Sequence, residues 1–267
     1  MRVKPVASRD NPGYKQLVKL AGSSQARKRE GLSLLDGAHL VAAYLERIGP
    51  PALLAVSESG STNPEVMELI GRAGCETLRL PDNLFGAVSQ VEHSAGVLAA
   101  VPTPHPELPV RLTGDCLLVE HLQDPGNLGS LLRSAAAAGV DQVLLSPQTV
   151  YAWSPKVLRA GQGAHFALTI YEGVDLADAL PRLAAPLYAT SSHAEISVFE
   201  ADLTQPVAWL FGNEGAGVSA MMLERAHLQV GIPMPGATES INVAAAAAVC
   251  MFEAVRQRAG KHNRGRT

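Results

Sequence analysis

The stretch Cys116-Leu-Leu-Val-Glu-His-Leu-Gln-Asp-Pro-Gly-Asn-Leu-Gly-Ser-Leu-Leu-Arg-Ser-Ala135 decides the fold. It opens on a nearly continuous apolar run, turns at a Pro-Gly pair and continues with helical spacing. A strand that is apolar at every position, rather than at alternate ones, is buried on both faces, which is the signature of a parallel sheet covered by helices. The pattern repeats downstream in QVLLS (142–146), HFALTI (165–170), PLYATS (186–191), VAWLFG (207–212) and LQVGIPM (228–234). Helical segments fall between most of these runs, including 128–138, 175–184 and 239–258. Ligands of such sheets bind beyond the carboxyl ends of the strands. The loops after CLLVEHL, VAWLFG and LQVGIPM are therefore where chemistry is sought.

Upstream, LSLLDG (32–37), PALLAV (51–56) and SAGVLAAV (94–101) read as strands, with helical patterns at His39–Ile48 and Pro64–Arg72. Four prolines in VPTPHPELPV (101–110) exclude a helix or central strand there and make a stiff connector. The reading is a small α/β domain over 1–101, a Pro-rich linker over 102–111 and a larger α/β domain over 112–267. At 267 residues, 47% hydrophobic, the chain has room for two cores and is neither disordered nor a disulfide scaffold. Three scattered cysteines (Cys75, Cys116, Cys250) and no apolar run long enough for a membrane span predict a cytoplasmic protein without a membrane partner.

The net charge of −3 hides an asymmetry. Residues 1–30 and 256–267 hold 13 of the 22 Lys and Arg, leaving an acidic body between two basic ends. That distribution points to a polyanionic partner met by the termini, with Arg27, Lys28 and Arg29 as the densest cluster and the tail from Arg256 as a second contact.

Three loops carry candidate chemistry. In the first, Asn127 reads as a helix cap between Gly126 and Gly129, and Arg133 is the one Lys or Arg between Arg111 and Lys156. A solitary cation above a sheet edge is suited to hold a phosphate or an oxyanion. The second, Leu210-Phe-Gly-Asn-Glu-Gly-Ala-Gly217, lets backbone approach a flat ligand closely and sets Glu214 inside a glycine run. The third, Ile232-Pro-Met-Pro-Gly-Ala-Thr-Glu-Ser-Ile-Asn-Val243, is a rigid loop in which Thr238 or Ser240 caps the next helix, leaving Asn242 as a polar group facing a pocket. Five alanines follow (Ala244 to Ala248), a surface for close backbone approach in the core or at a subunit interface. His121 reads as a structural histidine rather than a base. No His/Cys cluster has metal-ligand spacing, no GxSxG elbow is present, and the glycine spacing fits neither a P-loop nor a dinucleotide fingerprint. The spacing also argues against a Rossmann-type small-molecule methyltransferase.

In order and spacing, NLGSLLRSA (127–135), LFGNEGAGVS (210–219) and IPMPGATESINVAAA (232–246) resemble the three signature motifs of the SpoU (TrmH) family of RNA 2′-O-ribose methyltransferases. NPGYKQLVKLAGSSQARKREGLSLLDGAHLVAAYL (11–45) resembles the small ribosomal-protein-like domain that binds substrate in many of these enzymes. The resemblance implies a SPOUT-type α/β fold with a trefoil knot, S-adenosylmethionine as cofactor and a homodimer. It implies cofactor contacts from Gly212, Ile232, Met234 and Ile241, and a catalytic set of Asn127, Arg133, Glu214, Ser240 and Asn242. It assigns the Arg133 position to a base or activator. Free arginine holds its proton above pH ~12, so a cation that grips phosphate and stabilises a developing alkoxide is the easier role.

The implied activity is methyl transfer to a ribose 2′-hydroxyl, with ribosomal RNA favoured over tRNA because a recognition domain precedes the catalytic one. The alternatives are a tRNA 2′-O-methyltransferase and a non-catalytic RNA-binding or ribosome-assembly factor of the same fold.

Overall fold

A computed structural model describes residues 3–91 and 94–264, with side chains of the final helix described through Gly260. The chain divides into two units, Met1–Pro104 with Trp153–Phe166, and His105–Ala152 with Ala167–Thr267.

The first unit contains β1 (Val3–Pro5), α1 (Pro12–Gly22), α2 (Ser24–Glu30), β2 (Leu32–Asp36), α3 (Ala38–Arg47), β3 (Leu53–Ser57), α4 (Pro64–Arg72), β4 (Thr77–Leu80), α5 (Asp82–Gly86) and β5 (Val97–Pro102). Its mixed sheet runs β1-β4-β3-β5-β2, with β5 antiparallel to both neighbours. The strand and helix readings upstream of the linker fall on β2, β3, β5, α3 and α4. The short strands β1 and β4 gave no run long enough to recognise.

The second unit contains β6 (Cys116–Val119), α6 (Pro125–Ala138), β7 (Gln142–Leu145), β8 (Thr169–Tyr171), α8 (Leu176–Ala179), β9 (Leu187–Thr190), β10 (Ile196–Ser197), β11 (Ala208–Phe211), α9 (Ala220–Glu224), β12 (Leu228–Gly231) and α10 (Val243–Arg264). α7 (Pro155–Gly161) lies in the segment that groups with the first unit. The sheet order is β10-β12-β9-β11-β6-β7-β8 and every pairing is parallel. All four residues of β6 and of β11 are buried, as continuous apolarity requires. β12, β9, β11 and β6 are neighbours, so their carboxyl ends form one edge. α10 packs along α6, and its residues Ala244, Ala247, Cys250, Met251 and Ala254 are buried, so the alanines serve packing inside this unit. Burial pushes the Cys116 and Cys250 thiols up to about 12, leaving them unreactive.

Three readings are corrected. HFALTI begins as a 3-10 turn over Ala164–Phe166, and its strand starts at Thr169. The first proline of the stiff connector is not excluded from a central strand, since β5 lies between β3 and β2. β5 runs through Pro102, and Thr103 donates its N–H to Gly31 and shares a 2.7 Å hydroxyl hydrogen bond with Ser33. Arg182 then donates to the carbonyls of Leu108 and Pro109. Finally, 153–166 does not group with the rest of 112–267. Val157 and Leu158 of α7 are fully buried, α7 packs on β2, and Tyr44 meets Phe166 edge-on at 5.3 Å.

That placement has a consequence for truncation. Removing residues 1–104 uncovers Val157 and Leu158, each worth about 1.5–3 kcal/mol of burial. The truncated chain should melt below the full-length protein and bind a hydrophobic dye, with Val157→Ser and Leu158→Ser reducing dye binding. A truncated chain as stable and dye-free as the parent would show that α7 needs no cover.

Candidate active site

The β6–α6 connection begins the site. Asp124, not Asn127, caps α6: its Oδ1 accepts the Asn127 N–H at 2.7 Å, with Pro125 at the first helical position. The Asn127 side chain is thereby free to bridge the other two loops. Its Nδ2 donates to Glu214 Oε1 at 3.3 Å, and its Oδ1 accepts from Asn242 Nδ2 at 2.7 Å. Asn242 in turn takes the N–H groups of Ala244 and Ala245 on its Oδ1. It is therefore the N-terminal cap of α10, in place of Thr238 or Ser240. Two asparagine amides and one carboxylate join all three loops.

The glycine loop after β11 closes as a small hairpin, Asn213 and Gly217 exchanging both backbone hydrogen bonds. A Cβ on Gly212 would lie 2.1 Å from the Gly217 backbone, so no other residue fits there. Asn213 Oδ1 accepts from Gly215 and Ala216, while its Nδ2 donates to the His121 carbonyl at 2.8 Å. Glu214 is exposed but not idle. It accepts from the backbone N–H of Gln123 at 3.3 Å and of Asp124 at 2.8 Å. Partial burial pushes its carboxyl up, but the Asp124, Glu214 and Gln123 N–H groups and the Asn127 amide outweigh that and hold it below its ordinary value.

These loops wall a cavity of about 450 Å³, within the roughly 300–1,000 Å³ of small-molecule sites. Gly212, Ile232, Met234 and Ile241 line it, as do Asn127, Glu214, Ser240 and Asn242. Apolar walls beside hydroxyls, a carboxylate and open glycine backbone suit a flat heterocycle carrying a polar tail. This lining suits the polarity of S-adenosylmethionine. Sequence reasoning missed Thr190, at the end of β9, and Ser191, Ser192 and His193, which line the cavity from the loop after it. No glycine or proline marks that loop, and its one signal was a position at the carboxyl end of a buried strand.

Arg133 is not brought to this cavity. It sits on the exposed side of α6, six residues and about 9 Å of helix rise beyond Asn127, and makes no ion pair among the described residues. His121 is exposed, with φ 57, and acts through its backbone. Among the described residues no three His, Cys, Asp or Glu side chains gather to hold a metal, and no helix is long and apolar enough to cross a membrane.

The basic ends are less free than their charge implied. Arg27 is buried, its Nη1 donating to the Leu20 and Ala21 carbonyls at the end of α1. Arg256 pairs with Glu253 at 2.7 Å, and Arg258 with Asp115 and the carbonyls of Leu203 and Gln205. Lys28 and Arg29 are exposed. Arg2, Arg266 and the side chains of Lys261 and Arg264 lie outside the described residues.

A family model described as the SpoU rRNA methylase family matches residues 116–252. The chain belongs to that family. It is 31% identical, over 94% of its length and 98% of the relative's, to the 23S rRNA (guanosine(2553)-2′-O)-methyltransferase RlmP of Bacillus subtilis. It is also 31% identical, over 93% and 91%, to a 23S rRNA (uridine(2479)-2′-O)-methyltransferase of Streptomyces viridochromogenes. The solved SpoU methyltransferase AviRb of that organism, in complex with the cofactor AdoMet, superposes with a TM-score of 0.83 at 28% identity, over 93% of this chain and 98% of its own. The α/β fold with a parallel sheet is therefore that of the SpoU family.

Because the Glu214 carboxyl is held below its unfolded value, its bonds contribute stability that is present above that value and lost as pH falls through the folded one. Glu214→Gln should therefore lower the melting temperature at pH 7. The gap to the parent should shrink once pH falls below the ordinary 4.5. A gap constant down to pH 3 would assign the stabilisation elsewhere.

Proposed function

We infer that this protein transfers a methyl group from S-adenosylmethionine to a ribose 2′-hydroxyl of ribosomal RNA. The observation that carries this reading is the Asn242–Asn127–Glu214 link across a glycine-walled cavity, in a chain of the SpoU family. Bound there, S-adenosylmethionine supplies a methyl group already activated on a sulfonium. What is left to the protein is alignment and the management of one proton.

Gly212 lets the hairpin that forms one wall of the cavity close, while Ile232, Met234 and Ile241 give it apolar sides. The Ser240 hydroxyl and Asn242 amide orient the target ribose, and Asn127 and Glu214 keep the loops in register. Arg133 lies outside the cavity lining, so its assigned role, gripping the phosphate beside the target ribose and steadying the alkoxide that forms, requires the RNA to run from the cavity along the exposed side of α6.

The first unit is the substrate-recognition domain, with Lys28 and Arg29 meeting phosphate and Arg27 holding the helices that present them. The second unit carries the trefoil knot of its family and pairs with a second copy. Phe252 and Val255, 46% and 36% exposed on α10, support such a pairing. Two equally similar relatives carry guanosine and uridine in their names, so the base is not carried over. An enzyme of this kind works in the cytoplasm.

Mapping of 2′-O-methyl sites in total RNA, with and without the gene, should show one ribosomal position lost. A lost tRNA site would move the substrate to tRNA, and no lost site would favour an assembly factor. Restoring the gene as Arg133→Ala should leave the position unmethylated while calorimetry finds S-adenosylmethionine affinity within a few-fold of the parent. Retained methylation would remove Arg133 from the reaction. Changing Lys28 and Arg29 to Gln should lower the salt slope of RNA binding by about 0.7–0.9 for each phosphate no longer neutralised. An unchanged slope would move the interface elsewhere.

A further inference from the structure

Glu120, 6% exposed, directly follows the four fully buried residues of the apolar strand β6. A buried carboxylate is costly unless hydrogen-bonded, and a well-packed apolar side chain would serve strand stability as well or better. Both its oxygens are taken by one residue ninety-nine positions away. Oε2 accepts the Ser219 N–H at 2.8 Å, and Oε1 accepts the Ser219 hydroxyl at 2.8 Å.

Ser219 is a junction. It follows Val218, the last residue of the glycine loop, and it is the N-terminal cap of α9, its hydroxyl accepting the Met222 N–H. Val218 and Leu223, on either side of this junction, both line the cavity. The glycine loop is therefore held at two ends by two carboxylates. Glu214 fastens its tip to the β6–α6 connection, and Glu120 fastens its base to the end of β6.

We propose that Glu120 is a positioning residue for the cofactor cavity, acting through Ser219 to set the Val218 and Leu223 walls. It does not line the cavity itself. Without this hold the Asn213 side of the loop's base keeps its side-chain bond to the His121 carbonyl, but the Val218–Ser219 side loses its own, and the apolar wall moves away from the ligand. Gln at position 120 keeps the grip, because its carbonyl accepts the Ser219 N–H and its amide donates to the Ser219 oxygen. Ala removes it. The inference rests on the reading of the cavity as the S-adenosylmethionine site.

The test is calorimetric titration of S-adenosylmethionine into the full-length parent, Glu120→Ala and Glu120→Gln, with KM for the cofactor measured alongside kcat. Expected are an about tenfold weaker Kd and a matching rise in KM for Glu120→Ala, exceeding any fall in kcat, and near-parental values for Glu120→Gln. If the parent itself binds no S-adenosylmethionine, the functional reading fails, and with it the ligand. If the parent binds and folded Glu120→Ala binds equally well, Glu120 is a structural residue and the inference is overturned. Should Glu120→Ala not fold, Ser219→Ala removes the hydroxyl bond alone. It should weaken binding by less than the full tenfold, and an unchanged Kd would overturn the proposal in the same way.

Discussion

The site depends on one interaction, the acceptance by Glu214 of two successive backbone N–H groups from Gln123 and Asp124. Those groups precede α6, where a helix start leaves donors without partners inside the helix. Asp124 satisfies the N–H of Asn127, the third residue of the helix, and a carboxylate from a loop some ninety residues later satisfies the two just outside it. Bringing the carboxylate there requires a hairpin so tight that position 212 has no room for a Cβ. Once both are in place, the Asn127 amide has one face toward Glu214 and the other toward Asn242, and α10 starts where Asn242 caps it. The order of dependence runs from carboxylate to helix start to second helix start.

Charge is distributed by the same logic of satisfied groups. The sequence shows an acidic body with basic ends, which reads as a surface for a polyanion. Several of those end residues instead hold parts of the fold together. Arg27 closes the carbonyl end of α1, and Arg258 joins the last helix to Asp115 at the entrance of β6. Asp115 also accepts the Val207 N–H, so one cation–carboxylate pair fixes the starts of two adjacent strands. Lys28 and Arg29, beside Arg27, are exposed.

How much was legible follows from range. CLLV and AWLF announce buried parallel strands because every residue in them faces a covering helix, a property local to four residues. The three loops were legible because glycine, asparagine and glutamate stand out at carboxyl ends of strands. Hidden were partners far apart in sequence. Asn242 read as a polar group facing a pocket, with no sign that its bond runs to Asn127, and Glu214 stood out in its glycine run without showing that its oxygens face Gln123 and Asp124. The loop over Thr190–His193 has ordinary composition and enters the cavity only because β9 lies between β12 and β11. The grouping of 153–166 with the first unit is likewise invisible, since Val157 and Leu158 are apolar in either setting.

His121 shows how these constraints meet in one backbone position. It is one of two non-glycine residues with positive φ among those described. Such a conformation costs roughly 1–2 kcal/mol for a side chain of ordinary size. It persists because its surroundings fix it from both sides. The His121 N–H donates to the Ser146 hydroxyl at 2.9 Å, and its carbonyl accepts the Asn213 amide. Glu120 and Leu122 are buried while His121 is exposed. A strand continuing with ordinary alternation would put 120 and 122 on one face but would carry the chain straight past the hairpin. The left-handed residue turns it instead, so the Glu120 carboxylate reaches Ser219 while Gln123 and Asp124 present their N–H groups to Glu214. The local strain at 121 is thus the geometric condition for both carboxylates to grip the same loop.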